Sequence, residues 1–292
     1  MRRISFSPPY CLCGLFTGSL TIIDTSNNLV KSEVLETDHR QYRHNRESDR
    51  TDPQITCLNG DYDGGGITAV AYGHTSNVCY TGGREGNVIV WNSTSGELSK
   101  SQVIEGEGSV VSCILNGIDE QGGDVLVTTH TDGRGTVNVY VRDKGGMYVF
   151  CRRVRLNSPV LSAGWSENND GSKDYNRIWL GTEDGTLRQV NTQDLDTGFE
   201  VTLSNNGIRS LTVTNDSSDN DVVYLGDTEG FMYKVSVSGV EPITPPHKDA
   251  LVGMALATDG VLVTASRDGT VRVWDDKGEV RMDKERMERS DS

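Results

Sequence analysis

The chain has 292 residues, enough for two ordinary domains or for one large all-β or α/β unit. Its 33 glycines against 7 prolines indicate many turns rather than disorder, and its formal net charge of −14 argues against a nucleic-acid binder that works through its whole surface. No apolar run approaches the roughly 18 residues of a membrane span, and Ser7, Pro8 and Pro9 interrupt any hydrophobic secretory signal. We therefore expect a soluble intracellular protein, cytoplasmic or nuclear, without membrane contact.

One short pattern, a glycine followed by alternating apolar residues, occurs six times along the chain. Alternation with period two places every second side chain on one face, so each copy is predicted to be a strand that follows a tight turn. In the last copy, Asp268-Gly269 supplies the positive φ that such a turn needs. Except between the first two, the copies recur at about the 40–50 residues typical of four-stranded propeller blades. In chain order they are Gly18–Asp24, Gly86–Asn92, Gly135–Val141, Gly185–Asn191, Gly230–Ser236 and Gly269–Asp275.

Two further apolar runs precede each copy after the first, such as Ile67–Tyr72 and Val78–Thr81 before the second copy. No stretch sustains a 3.6-residue apolar period, so the helix content is predicted to be very low. Three such strands and a polar outer strand make a blade whose faces are buried against neighbouring blades. The predicted fold class is all-β, a β-propeller of about six four-stranded blades.

These copies resemble the WD-repeat β-propeller family over nearly the whole chain. The last copy matches best: the resemblance implies that four of its residues form a structural hydrogen-bond tetrad, namely His247, Thr264, Asp268 and Trp274. Pro246 replaces the glycine that precedes the histidine in the family. The other copies are degenerate, because Glu85 and Glu229 stand at the turn aspartate and other side chains replace the tryptophan, namely Ile23, Tyr140, Val190 and Val235. Only the sixth copy is expected to complete the tetrad, and so to fix one blade's register.

The domain boundaries follow from the copies. The propeller is predicted over 1–282, with an inserted polar loop at about 36–54, and a charged C-terminal tail over 283–292. Propellers usually close by sharing one blade between the two termini, whereas here both ends hold strands of their own blade. Three arrangements stay open: a closed ring of six blades, a gap that a partner completes, or an N-terminally incomplete version of a seven-bladed protein.

The sequence contains no catalytic motif, no phosphate-binding loop and no complete set of metal ligands. We therefore predict no enzyme activity, no cofactor and no metal. His130, one residue before the Thr131-Asp132-Gly133 turn, is expected to be a turn or surface histidine. The six cysteines lack a disulfide framework and are expected to be reduced thiols, mostly buried in strands.

Binding is the function that the resemblance favours, because in the family the residue just before the turn aspartate points to the ligand-binding face. The matching positions are Arg84, Thr131, Glu183, Thr228 and Arg267. Arg84 and Arg267 would pair with acidic or phosphorylated groups of a protein or peptide partner, since guanidinium binds carboxylate and phosphate bidentately. Glu183 would meet a basic residue, and the arginines of the inserted loop could form a short docking motif.

The predicted function is a non-enzymatic protein-binding scaffold or adaptor in an intracellular multiprotein complex. An alternative is a substrate receptor of a cullin-type ubiquitin ligase, since 263–277 resembles the family's ligase-adaptor box, with Lys277 where arginine is usual. A third hypothesis is a propeller enzyme that acts at the central channel. The inner strands argue against it, because they carry essentially none of the acidic or histidine side chains that such a site would need.

Overall fold

The computed structural model describes residues 66–284 except 74–77, 93–97, 120, 168–172, 257–260 and 275–279, together with the backbone of four strands before residue 35. The predicted loop at about 36–54 and the tail residues after Lys284 lie outside the described residues. The described chain consists of strands and their connections, arranged as six antiparallel four-stranded sheets that we number as blades 1 to 6. No helix that could cross a membrane occurs in this part of the chain. The all-β prediction is confirmed.

The chain divides into two compact units, and the first, Met1–Asn157, contains blades 1 to 3. In each blade the strands follow one another across the sheet in chain order. Blade 1 has β1 (Arg3–Ser7), β2 (Tyr10–Gly14), β3 (Leu20–Asp24) and β4 (Leu29–Val34). Blade 2 has β5 (Ile67–Tyr72), β6 (Val78–Gly83), β7 (Val88–Asn92) and β8 (Ser99–Ile104). Blade 3 has β9 (Val111–Ile118), β10 (Asp124–His130), β11 (Thr136–Arg142) and β12 (Tyr148–Arg155).

The second unit, Ser158–Ser292, contains blades 4 to 6 with the same connectivity. Blade 4 has β13 (Val160–Glu167), β14 (Lys173–Thr182), β15 (Thr186–Asn191) and β16 (Thr197–Thr202). Blade 5 has β17 (Ile208–Asn215), β18 (Asp221–Asp227), β19 (Met232–Ser236) and β20 (Gly239–Ile243). Blade 6 has β21 (Leu251–Leu256), β22 (Leu262–Ser266), β23 (Val271–Trp274) and β24 (Val280–Lys284). The outer strand β24 thus runs two residues past the boundary expected at 282.

The cores lie between consecutive blades of one unit, because apolar side chains alternate on both faces of the middle strands. In the first unit, one cluster joins blades 2 and 3 and includes Tyr80, Val111, Leu126 and Tyr148. In the second unit, Trp179 of blade 4 packs with Ile208 and Val223 of blade 5, and Met232 of blade 5 packs with Leu251 and Trp274 of blade 6. The strands β8, β12, β16 and β20 are largely exposed, as predicted for polar outer strands.

Candidate functional site

The turn between the second and third strand is built alike in the five blades whose turns the structure describes. Each turn ends on a glycine with a positive φ, a conformation that side chains with a Cβ rarely adopt. These glycines are Gly86 (φ 90°), Gly135 (59°), Gly185 (76°), Gly230 (91°) and Gly269 (87°). They are the first residues of the repeated copies, so the turn prediction is confirmed at these positions. Gly18, the equivalent residue of blade 1, lies outside the described residues.

The five predicted contact residues occupy one structural position, because each directly follows the second strand of its blade. In four of them the backbone N–H donates to the carbonyl oxygen of the residue that precedes the first strand of the same blade. These bonds are Thr131 to Val110 at 3.1 Å, Glu183 to Pro159 at 2.9 Å, Thr228 to Gly207 at 3.0 Å and Arg267 to Ala250 at 2.9 Å. The repeated bond fixes the backbone at this position relative to the first strand.

The side chains at this position differ in charge and exposure. In the second unit, Glu183 and Arg267 are exposed and Thr228 is half-buried. In the first unit, Arg84 and Thr131 are half-buried. Each unit therefore presents an arginine at this position, and only the second adds an acidic side chain. We call these five residues the rim positions.

The predicted tetrad residues of blade 6 lie within hydrogen-bonding range of one another. The indole N–H of Trp274 donates to Thr264 Oγ1 at 2.9 Å, and Thr264 Oγ1 lies 2.8 Å from His247 Nε2. Thr270 Oγ1 gives its own proton to Asp268 and so accepts from His247 Nδ1; the histidine proton therefore sits on Nδ1, and the Thr264 hydroxyl donates to Nε2. His247 and Thr264 are buried, at 3% and 0% exposure, so the bonds satisfy groups that water cannot reach.

Thr270 is a further member of this network that the sequence analysis missed. Its hydroxyl donates to Asp268 Oδ1 at 2.7 Å, and its oxygen lies 2.9 Å from His247 Nδ1, closer than the 3.4 Å between Nδ1 and Asp268 Oδ2. The direct bond expected between His247 and Asp268 is therefore shared with Thr270. A sequence signal for Thr270 exists: a threonine directly follows the turn glycine in three copies, at Thr136, Thr186 and Thr270.

Asp268 also organises the backbone around the turn. Its carboxylate accepts the backbone N–H groups of Lys248 and Thr270, both at 2.8 Å. Burial alone would raise the pKa of Asp268, but these hydrogen bonds and the Thr270 hydroxyl hold the pKa well below its usual range. The carboxylate is therefore ionised at neutral pH and joins the turn to the link that precedes β21. Arg267, directly before Asp268, therefore lies in a turn whose backbone is held by hydrogen bonds.

The other blades keep parts of this arrangement. In blade 2 the indole N–H of Trp91 donates to Thr81 Oγ1 at 2.9 Å, which reproduces one end of the tetrad. In blade 5 the expectation that Glu229 replaces the turn aspartate is wrong. Glu229 is exposed, and Asp227, 1% exposed, accepts the backbone N–H groups of Glu229 and Phe231, both at 2.9 Å. In blade 5 the carboxylate that accepts the N–H groups of the turn thus belongs to the last residue of β18 and not to the residue before the turn glycine.

The expectation that His130 is a turn or surface residue is wrong, since it is 4% exposed. Its Nδ1 lies 3.2 Å from the Ser109 carbonyl oxygen, which can only accept, so Nδ1 carries the proton. Its Nε2 then accepts from the Thr128 hydroxyl at 3.1 Å and from Asn138 Nδ2 at 3.2 Å. Burial lowers the pKa of His130. His130 is the last residue of β10, and its ring is part of the blade's interior.

The described cysteines are free thiols that differ in burial: Cys79 is buried, Cys113 is half-buried and Cys151 is exposed. The expectation of mostly buried cysteines is therefore correct for only part of this set. Burial raises the pKa of Cys79 to about 12, so this thiol stays protonated. Within the described residues, no group of three or more histidine, cysteine or acidic side chains is placed to hold a metal ion. The arginines of the inserted loop and Lys277 of the adaptor-box resemblance lie outside the described residues.

Comparisons with known proteins agree with the repeat pattern. The family model described as "WD domain, G-beta repeat" matches residues 52–92 and 241–275, which contain the third strands of blades 2 and 6. None of the curated proteins matches the sequence. Among solved structures, a chain of the "Crystal Structure of Mitotic Checkpoint Complex" superposes with a TM-score of 0.71 at 13% sequence identity, over 99% of this chain and 78% of that one. The chain thus has the β-propeller fold, and the WD-repeat model matches the two blades that have a tryptophan in the third strand.

Proposed function

We propose that this protein is a non-enzymatic scaffold or adaptor that binds protein partners inside the cell, in the cytoplasm or the nucleus, through the rim positions. The observation that carries the proposal is the repeated backbone bond that places the rim residue identically in four blades. A fixed backbone with varied side chains is the usual way in which a repeat scaffold forms a binding surface.

The rim of the second unit supports a partner with mixed charge. Arg267 is exposed and would bind a carboxylate or a phosphate through two parallel N–H groups. Glu183, also exposed, would pair with a basic side chain of the same partner. In the first unit Arg84 offers a second guanidinium, half-buried and therefore better suited to a fixed contact than to solvation.

The network behind Arg267 favours binding, because it orders the turn before a partner arrives. Asp268 holds the link at Lys248, and the Ser266 hydroxyl accepts the Asp268 backbone N–H at 3.1 Å and donates to the Asp249 carbonyl at 2.8 Å. A partner that contacts Arg267 would therefore order one flexible side chain and little backbone, which lowers the entropic cost of association.

The comparisons support the general role. The similar solved chain comes from a structure titled as a complex, and repeat propellers offer several binding positions on one rigid frame. The ligase-receptor alternative stays a prediction of the sequence, because Lys277 lies outside the described residues.

The experiment that tests the proposal is affinity purification from cells followed by mass spectrometry, with the wild-type protein and with Arg267→Glu and Arg84→Glu. A matched control is Lys144→Glu, which reverses an exposed charge in the hairpin before β12. Specific partners should disappear with the rim variants and persist with the control. Because Arg84 is half-buried, Arg84→Gln and a thermal melt of each variant separate lost binding from lost folding.

Recovery of the same partners with both rim variants would exclude the rim as the binding surface. A defined turnover by the purified protein that the rim variants abolish without unfolding it would instead support the enzyme reading. Co-purification of a ubiquitin-ligase adaptor subunit would favour the receptor alternative.

A further inference from the structure

The outer strand of blade 3 differs from the other outer strands in length and chemistry. β12 has eight residues, against five or six for the other outer strands that the structure describes. It contains three arginines and no acidic residue, in a chain whose formal net charge is −14. Val149 and Phe150 expose 48% and 51% of their surface. An exposed edge strand with apolar side chains is a template for pairing with another strand.

The backbone of β12 already accepts a peptide-like group from outside its sheet. The side-chain amide of Gln102, on β8 of blade 2, donates from Nε2 to the Tyr148 carbonyl at 2.8 Å and accepts the Tyr148 N–H on Oε1 at 2.8 Å. A peptide group of an adjacent strand would make the same two bonds. Both backbone groups of Tyr148 therefore point away from β11, and those of Phe150, two residues further, point to the same edge by the alternation of antiparallel strands.

The exposed apolar side chain and two of the arginines share one face of this edge. Phe150 is opposite Tyr140, and after a bulge Arg153 and Arg155 are opposite Asn138 and Thr136. The Arg153 guanidinium lies 5.3 Å from the centre of the Phe150 ring, which places charge and aromatic surface together. The strand thus presents an apolar position followed by positive charge.

Two of the three arginines have positive charge to offer a partner. Arg153 donates to Glu107 and to Asn138, both at 2.7 Å, so its charge is already compensated. Arg152 and Arg155 are exposed, and neither forms an ion pair with any residue that the structure describes. Incoming carboxylates would neutralise these two.

We propose that β12 is a docking edge for an extended acidic segment of a partner protein, which adds to blade 3 as a fifth strand. Its backbone would pair with the outward groups of β12 from Phe150 onward, and an apolar side chain would cover Phe150. Carboxylates would meet Arg155 on the Phe150 face and Arg152, opposite Val139, on the other face. A second copy of β12 is disfavoured as the occupant, because it would bring the arginines of both strands together. This surface is separate from the rim positions and does not depend on them.

The probe is a short fluorescent peptide of valine with glutamate at every third position, added to the full-length protein. Successive glutamates then lie on opposite faces of the added strand, as Arg152 and Arg155 do on β12. Fluorescence anisotropy should report binding, and hydrogen–deuterium exchange should show protection of 149–155. A valine–lysine peptide should not bind. The acidic peptide with N-methyl groups on alternate residues lacks the N–H donors of one edge, so it separates strand addition from charge attraction alone.

The matched variants reverse the same amount of charge in two places. Arg152→Glu with Arg155→Glu should weaken the peptide by at least about tenfold, since two exposed ion pairs become repulsive. Lys144→Glu with Lys248→Glu makes the same change in net charge at exposed positions off the edge and should change the affinity by less than about twofold. Arg267→Glu should leave the binding of the peptide unchanged while it removes partners of the rim. The proposal for β12 and the proposal for the rim can therefore be refuted separately.

Four outcomes would overturn the proposal: protection outside β12, equal binding of the N-methylated peptide, preferential binding of single-stranded RNA at these arginines, or self-association through this edge in sedimentation experiments. Each measurement uses the folded full-length chain. Because Arg152 and Arg155 are exposed on an outer strand, the double reversal is expected to fold, and a thermal melt checks it.

Discussion

Asp221, the first residue of β18 in blade 5, accepts the indole N–H of Trp179, on β14 of blade 4, at 3.0 Å. The same carboxylate oxygen accepts from Gln189 Nε2 at 2.8 Å and from Ser166 Oγ at 2.9 Å, and Arg177 Nη1 lies 3.5 Å away. The Asp221 side chain is only 5% exposed. One buried carboxylate of blade 5 therefore collects several donors of blade 4 and joins the two blades.

Replacing Asp221 by alanine should destabilise the protein by about 2–4 kcal/mol, because three buried or half-buried donors of blade 4 lose their acceptor. Trp179→Phe, which keeps the ring but removes one donor, should cost about 1 kcal/mol. Urea unfolding measures both free energies, with Glu241→Ala on the exposed strand β20 as the control. A loss for Asp221→Ala no larger than that of the control would show that the carboxylate does not join the blades.

Asp268→Ala should cost about 1–3 kcal/mol, since the backbone N–H groups of Lys248 and Thr270 both lose their acceptor. Thr270→Ala removes the hydroxyl that lies between Asp268 and His247 and should cost about 1 kcal/mol. The double variant should lose less than the sum, because both changes break one network. Strict additivity in urea unfolding would mean that Thr270 does not connect the aspartate to the histidine.

Asp268 should also make stability depend on acid. Its folded pKa lies below the ordinary value of 3.8, so the native state favours the ionised form. The resulting stability is present above pH 3.8 and is lost as the pH falls further, where the unfolded chain takes up the proton first. The melting temperatures of wild type and Asp268→Asn should therefore converge below this pH. A difference that stays constant from neutral pH to about pH 3 would contradict the assignment.

The sequence predicted the parts of the fold that local patterns control and missed those that depend on pairs distant in the chain. Alternation and a turn glycine identify a third strand, because both act within a few residues. The bond between Trp179 and Asp221 has no such signal, since the two residues belong to different blades and neither lies in a repeated copy. His130 was misplaced because it precedes a turn, whereas its position at the end of β10 turns the ring inward.

The buried His130 should make the protein less stable at mildly acidic pH. Burial lowers its pKa below the ordinary 6.5, so the unfolded chain binds a proton below pH 6.5 that the native state resists. Stability from this residue is present above pH 6.5 and is lost as the pH falls through that value. The drop in melting temperature between about pH 7.5 and pH 5.5 should be smaller for His130→Gln than for wild type. Equal drops would mean that a group other than His130 causes the loss of stability. The diagnostic quantity is the pH dependence of the melting temperature, because the substitution itself also removes hydrogen bonds.

Three glycines of the second unit separate the two reasons why a position in the chain requires glycine, namely a positive φ and a lack of space for a Cβ. Gly253 has an ordinary φ and open space where a Cβ would lie. Gly239 also has open space, but its φ is 126°. Gly230 has φ 91°, and its Cβ would in addition lie 2.5 Å from the His247 carbonyl oxygen and 2.7 Å from the Asp249 carbonyl oxygen.

Alanine should therefore be nearly neutral at Gly253, cost about 1–2 kcal/mol at Gly239 and cost more than about 3 kcal/mol at Gly230, as measured by urea unfolding. The backbone atoms that crowd Gly230 belong to the link that leads into β21, and Arg267 donates to Ala250 at the end of that link. If Gly230→Ala costs no more than Gly239→Ala, the link moves freely. In that case the turn of blade 5 does not set the position of Arg267, and the rim of the second unit would lack the ordered backbone on which its proposed binding role depends.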